Sequence, residues 1–403
     1  MKKRLVILIL VICFVLGCTE QIPETSIEAD NQELIEQTEN VSVTDDEKLE
    51  PLEPKVEDEF RLEIPNQLER ESLPSCDGLI FTEYPVDIEN IKSITPLGNL
   101  GPPGHTFPTD HPHLHLGEFG NEEAYDIYAP ADVYLTSIAW GDGMTEDPRD
   151  YVIYFALCKD IIAYYNHVKT VSPEIQNIID QYECEKFSQN SNGCTKVIKL
   201  DKINAGTVIG TVGLKQGNFD FGLIDLRVDL DFVKPERYPE RSRHIQCAFD
   251  YYPEEMRSVF YNLINRDDGS CSTIMQDVKR TLKGNWFHQS SPEEKVVQWD
   301  VYLAFVEHFQ YDNVQVVSIA GKFTEPSLFH FQPRNEGVIN RDFSQVKPGE
   351  VYCYQSEDIG YVNQAGIGKI IVKMIDDESL QIEHQDGDCN GNQVFSDFEV
   401  YNR

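Results

Sequence analysis

The 403-residue sequence contains no Cys-x-x-Cys pair, no Gly-x-Ser-x-Gly elbow and no glycine-rich phosphate loop. Zinc knots, serine-hydrolase elbows and nucleotide-binding loops each depend on such spacings, so none of these chemistries is written in it. It is also short of positive charge: 34 Lys and Arg against 69 Asp and Glu leave a formal net charge of −35. That balance excludes nucleic acid as a partner and opposes attraction to an anionic membrane surface, since both need a basic face. Its most apolar run, Leu5 to Leu16, is too short to cross a bilayer, and no repeat of fixed period is visible. What remains is substantial. Hydrophobic residues make up 40% and aromatics 11%, too many for a wholly disordered chain, and the length suffices for two or three domains.

Residues 1–17 read as an export signal, with Lys2, Lys3 and Arg4 ahead of the apolar run. Val15-Leu16-Gly17-Cys18 resembles the lipobox of prokaryotic lipoproteins, which implies that Cys18 carries lipid and becomes the N-terminus. A plain secretory signal with an incidental cysteine is the alternative. From Thr19 to Arg70 the chain holds 17 acidic and 4 basic residues with scattered prolines, a composition that cannot bury a core. The expectation for 18–70 is therefore a solvated tether. It would hold the folded part outside the cytoplasm, on a membrane reached through the lipid anchor.

Beyond residue 70, runs such as Val133 to Ile138, Thr207 to Val212 and Ile370 to Met374 are separated by Gly, Pro, Asp and Asn. Short β-branched and aromatic runs with such punctuation predict a mainly β, antiparallel fold. Helices are expected only over Ser172–Tyr182 and Pro253–Asn265. This gives a β module over 71–240, a helical connecting segment over 241–295 and a second β module over 296–403. Eight cysteines follow Cys18, an even number in a chain with an export signal, which favours disulfides. Proximity in sequence pairs Cys184 with Cys194, Cys247 with Cys271 and Cys353 with Cys389, leaving Cys76 with Cys158.

The densest cluster of chemistry-bearing side chains runs from Gly104 to His115 and contains His105, Asp110, His111, His113 and His115. On a strand the last three histidines point to one face, where imidazoles can share a metal such as zinc. The bland alternative is a row of partly solvated surface histidines, since Pro112 suits an edge or loop. The aromatics Trp286, Phe287, Trp299, Tyr302 and Phe305 read as core, with a sugar-binding surface as the alternative.

Further segments occur in a particular order: Tyr125-Asp126-Ile127-Tyr128-Ala129-Pro130, Tyr164-Tyr165-Asn166-His167-Val168, Gly206-Thr207-Val208-Ile209-Gly210 and Leu223-Ile224-Asp225. Taken in this order they resemble the lysostaphin/LytM-type zinc endopeptidases, which cut peptidoglycan cross-bridges. The resemblance spans about Ile94 to Val233 and implies a LytM-like antiparallel β module of the duplicated hybrid motif type. It makes Asp126 a zinc ligand and His167 the catalytic imidazole that supports the attacking water or the transition state. Two positions depart from the family: Glu122 stands where a ligand His is expected, and in the closing His-x-His the carboxylate of Asp225 takes the place of an imidazole as metal ligand. The expectation is therefore a degenerate, inactive module in an envelope protein that binds cell-wall polymer or an envelope protein, with a metal-dependent cell-wall hydrolase as the alternative. Gly104, His111-Pro112-His113 and Glu118 also approximate a cupin metal motif. From Gly104 to Phe343 the chain further resembles a set of exported prokaryotic proteins of unknown role, whose most distinctive stretch includes His105, Asp110 and His111.

Overall fold

The computed structural model describes residues 64–78, 80–141, 150–186, 193–359 and 366–403. The export signal, Cys18 and the tether up to residue 63 lie outside these. Within the expected tether, Gln67–Arg70 forms a single helical turn (α1), closed by a reciprocal capping box between Asn66 and Glu69.

The strands run in chain order as β1 Ser93–Thr95, β2 His113–His115, β3 Tyr125–Tyr128, β4 Val133–Gly141, β5 Asp150–Cys158, β6 Ile161–Val168, β7 Thr170–Val171, β8 Glu185–Lys186, β9 Cys194–Ile203, β10 Val208–Val212, β11 Asn218–Asp225 and β12 Ile245–Gln246. One antiparallel sheet has the order β1-β2-β11-β6-β5-β4-β9-β8, with β12 also on β11, and a small sheet has the order β3-β10-β7. The fold is thus mainly β and antiparallel, as the alternation of apolar runs and turn residues predicts. The two helical expectations also hold. Ser172 caps α2, Pro173–Ile179, with Pro173 in the first turn; Phe260 is the buried member of α3, Glu254–Leu263.

The strands at the centre of the large sheet present two unlike faces. Leu114 on β2, Phe219 and Phe221 on β11 and Tyr165 on β6 are fully buried and pack with Ile127 of the small sheet in one core. Each large apolar side chain so buried contributes roughly 1.5–3 kcal/mol. The opposite face carries the alternate residues. Cross-strand register places Thr95, His113, Asp220 and Asn166 in one row over β1, β2, β11 and β6, with Gly222 and Tyr164 paired in the next. Directly opposed residues share a face, so this side of the sheet is polar.

The second sheet is built from β13 Gly284–His288, β14 Tyr302–Glu307, β15 Gln315–Ile319, β16 Ser327–Phe331, β17 Tyr352–Tyr354, β18 Lys369–Met374, β19 Ser379–Gln385 and β20 Glu399–Asn402, in the order β16-β15-β14-β13-β20-β19-β18-β17. Its first strand lies inside the segment expected to be a helical connection. Gly284-Asn285-Trp286-Phe287-His288 is wholly buried between β14 and β20, and residues buried on both faces do not show the alternation that marks a strand. Trp286, Phe287 and Phe305 belong to the core, Tyr302 is partly buried against it, and Trp299 is 61% exposed. The four disulfides join Cys76 to Cys158, Cys184 to Cys194, Cys247 to Cys271 and Cys353 to Cys389, the pairs expected from sequence proximity.

Candidate metal centre

Asp220 is the hub of the polar face. It is 1% exposed, and three imidazoles converge on its carboxylate. His113 Nδ1 lies 2.7 Å from Oδ1, while His111 Nε2 and His167 Nε2 lie 3.1 and 3.3 Å from Oδ2. The second nitrogen of each ring is held from behind: His111 Nδ1 by Asp110 at 2.7 Å, His113 Nε2 by the Asn99 amide at 3.2 Å and His167 Nδ1 by Asp150 at 2.9 Å. Outer partners of this kind fix ring orientation and tautomer, as they do for metal-bound histidines.

Local backbone geometry explains how His167 joins the group. In a regular strand it would face away from Asp220, because its neighbour Asn166 is the residue paired with Asp220. Between Tyr151↔Val168 and Ile153↔Tyr165 the β5–β6 register shifts, so β6 carries one residue more than β5 there. His167 takes a φ of +61° at this irregularity. A bulge re-aims a side chain in just this way, and the left-handed backbone of a non-glycine residue is a cost characteristic of functional sites. Gly222 makes a second adjustment. It leaves room for the Tyr164 ring to lie over β11, and the Tyr164 hydroxyl donates to Asp110 Oδ1 at 3.1 Å.

Burial opposes charge on His111, yet the Asp220 carboxylate and the hydrogen bonds from Asp110 and Asp220 outweigh it and push the ring up to about 10. Burial likewise opposes charge on His167, and Asp150 with Asp220 raises it overall. Asp220 is held well below the usual carboxylate range: desolvation acts against this, and His111 and His113 override it. Asp110 is lowered too, against its burial, by Arg241 and His111. His105 stands with its ring 6.1 Å from those of both His111 and His113. Burial, and then repulsion from these two rings, lowers it to about 4, so it is neutral at neutral pH.

Among the described residues, His111, His113 and Asp220 bring one ligand atom each to within 4.8 Å of one another. Two imidazoles and a carboxylate suit a divalent metal with room for further ligands. The set differs from the sequence expectation in several members. Asp126 is exposed on β3, in the small sheet, and Ile127 points inward in its place. Asp225 ends β11 on the other side, bound to Arg227 at 2.6 Å and to the Tyr251 hydroxyl at 2.7 Å. It is five residues from Asp220, and an odd interval on a strand reverses the face. His115 shares the face with His113 but is turned to Thr95, with Nε2 2.9 Å from Oγ1. Glu118 is exposed beyond β2, so of the cupin spacing only the two histidines join the group, and Glu122 pairs with Lys215 at the surface. The residue that sequence reasoning missed is Asp220. Its signal was an acidic side chain at an alternate position of the otherwise apolar run Phe219-Asp220-Phe221-Gly222-Leu223.

The cluster opens on a cleft of about 600 Å³, lined on the near side by His105, His111, His167 and Asp220 and on the far side by Phe287, Trp299 and Tyr302 of the second β module. No protein-family model matches the sequence, and no curated protein matches it. A solved structure of Helicobacter pylori Csd3 from its hexagonal crystal aligns at 14% identity with a TM-score of 0.23, covering 45% of this chain and 38% of that one. The chain therefore spans well under two thirds of that protein.

Proposed function

We propose that this is an exported, lipid-anchored envelope protein whose first β module is a LytM-like, divalent-metal-dependent hydrolase of cell-wall peptide. The observation that carries the chemistry is the convergence of three buttressed imidazoles on the buried Asp220 at the edge of a cleft. The four disulfides fit an oxidising compartment, and the order of LytM-like segments supports the substrate class. His111 Nε2, His113 Nδ1 and an Asp220 oxygen are the donors that would hold zinc. Asp110 already orients His111, and the Asn99 side-chain nitrogen lies against His113 Nε2. When bound, the cation supplies Lewis-acid polarisation of a scissile carbonyl and of the attacking water. His167, fixed by Asp150, holds or passes a proton at Nε2, and His105 offers a neutral imidazole at the cleft wall. The substitutions at Glu122 and Asp225 therefore do not empty the site of imidazoles, which was the ground for expecting an inactive module.

A binding or scaffold role without turnover is the second reading. It is favoured by the closure of Asp220, both of whose oxygens are already engaged by imidazoles. Metal analysis of the purified protein after dialysis against zinc, followed by turbidity clearing of cell walls, separates the two. The hydrolase reading expects about one zinc per chain, its loss in Asp220→Ala and His111→Ala, and clearing by the wild type alone. A protein that excludes zinc overturns the metal site; zinc binding without clearing leaves the binding role.

A further inference from the structure

The far wall of the cleft has no part in the chemistry above, and its composition is unlike that of the protein as a whole. In a chain of net charge −35, the cations and carboxylates at this cleft answer one another. Arg241 lies 3.4 Å from Asp110 and donates to the Tyr154 hydroxyl at 3.2 Å, while Asp220 is surrounded by imidazoles. The rest of the lining is aromatic, aliphatic at Ile274, Val296 and Val297, or polar and uncharged, as at Thr109, Ser242 and Asn285.

Two features of this wall point to a ligand. The Trp299 indole is 61% exposed, in a molecule whose other large aromatics are mostly enclosed. It sits on the short helical turn Trp299–Val301 that leads into β14, and one edge reaches to 4.0 Å from where a Cβ on Gly104 would stand. It therefore lies against the loop that carries His105. The second feature is Asn285, 4% exposed and on the same face of β13 as Phe287. Its Oδ1 is buried with no hydrogen-bond partner among the described residues. An unanswered buried acceptor costs about 1–3 kcal/mol, which a ligand hydroxyl or amide N–H would recover.

We propose that this wall is a subsite for a neutral sugar ring, stacked by its C–H face on Trp299 and donating a hydroxyl or N-acetyl N–H toward Asn285. A stacking indole, uncharged hydrogen-bonding groups and no spare charge together match an uncharged pyranose better than a charged ligand. The inference rests on the cleft being the substrate path of the proposed hydrolase and narrows the substrate to a peptide still attached to glycan.

Isothermal titration of the full chain with the β-1,4-linked N-acetylglucosamine tetramer tests it, with a polyuronate of similar length as the charged comparison. Saturable binding of the tetramer is expected, about tenfold weaker in Trp299→Ala, as loss of a stacking contact implies, and largely retained in Trp299→Phe. Absence of tetramer binding, equal affinity in Trp299→Ala, or preference for the polyuronate would each overturn the proposal. Zinc content measured on the wild-type sample used for the titration keeps the two readings apart. A metal-free protein that still binds the tetramer through Trp299 removes the hydrolase and leaves the subsite; a zinc-loaded protein that ignores the tetramer does the reverse.

Discussion

Replacing Asp220 by Asn keeps the shape of the side chain and removes the charge on which the imidazoles converge. In the metal-free protein His111 is held at about 10, against 6.5 in an unfolded chain. At about 1.4 kcal/mol per unit, that difference corresponds to roughly 5 kcal/mol of coupling. The carboxylates of Asp220 and Asp110 share the role, each through its charge and one hydrogen bond, so removal of Asp220 forfeits about half, on the order of 2–3 kcal/mol. The pH dependence has a definite sign. A histidine whose folded pKa is raised contributes its full stabilisation below 6.5, and that contribution fades as the pH climbs toward 10. Asp220→Asn should therefore be most destabilised relative to wild type near pH 6, with the gap narrowing by about 1 kcal/mol per pH unit or less toward pH 9. Urea unfolding in the presence of a chelator, followed by far-UV circular dichroism at both pH values, gives the comparison. Equal midpoints near pH 6, or a gap that widens with pH, would refute the charge-coupled cluster.

Three further outcomes are expected. In Gly222→Ala the new methyl overlaps the Tyr164 ring, so a loss of about 1–3 kcal/mol in urea unfolding is expected, together with a change in Tyr164 hydroxyl environment visible by ultraviolet absorbance; an unaltered variant would show that the ring does not lie over Gly222. In the second β module, His308 and His330 lie with rings 5.6 Å apart, and burial lowers them to about 3 and 4. Unfolded histidines take up protons below pH 6.5 while these do not, so stability should fall with pH by up to about 1.4 kcal/mol per unit for each ring until pH 4 is reached; a variant with both replaced by Phe should lose that slope, and an unchanged slope would count against it. Finally, Cys18→Ser should release the protein from membranes, because acyl chains provide the affinity that the acidic chain opposes; retention of the variant in the membrane fraction would exclude lipid anchoring at that residue.

The strands that were legible in sequence are those built on β-branched runs: β4, β10 and β18 announce themselves in this way between turn residues, and α2 by its Ser-Pro-Glu start. β13 does not, since Gly284-Asn285-Trp286-Phe287-His288 holds no β-branched residue. The phase of the strands divides the candidate site. His111 and His113 were singled out by their interval of two, although only His113 lies on β2 and His111 precedes it. Asp225 was selected by alignment with a family motif, although the phase of β11 separates it from Asp220 and about 16 Å of strand lies between them. Asp126 could have been set aside on the same reasoning, because the inward position of Ile127 turns its neighbour outward. No periodicity predicts His167: a one-residue bulge places it, and bulges depend on how two strands meet rather than on either alone.

The register that sets His113 against Asp220 spans 107 residues of chain, and the wall that faces them begins only at Phe287. A nascent chain that ends short of β11 would thus possess its histidines with nothing to assemble them. Long-range pairing of this kind carries the largest loop-closure cost and forms late. Timing is therefore built into the topology. Whatever this centre does begins only after nearly the whole chain is present and closed.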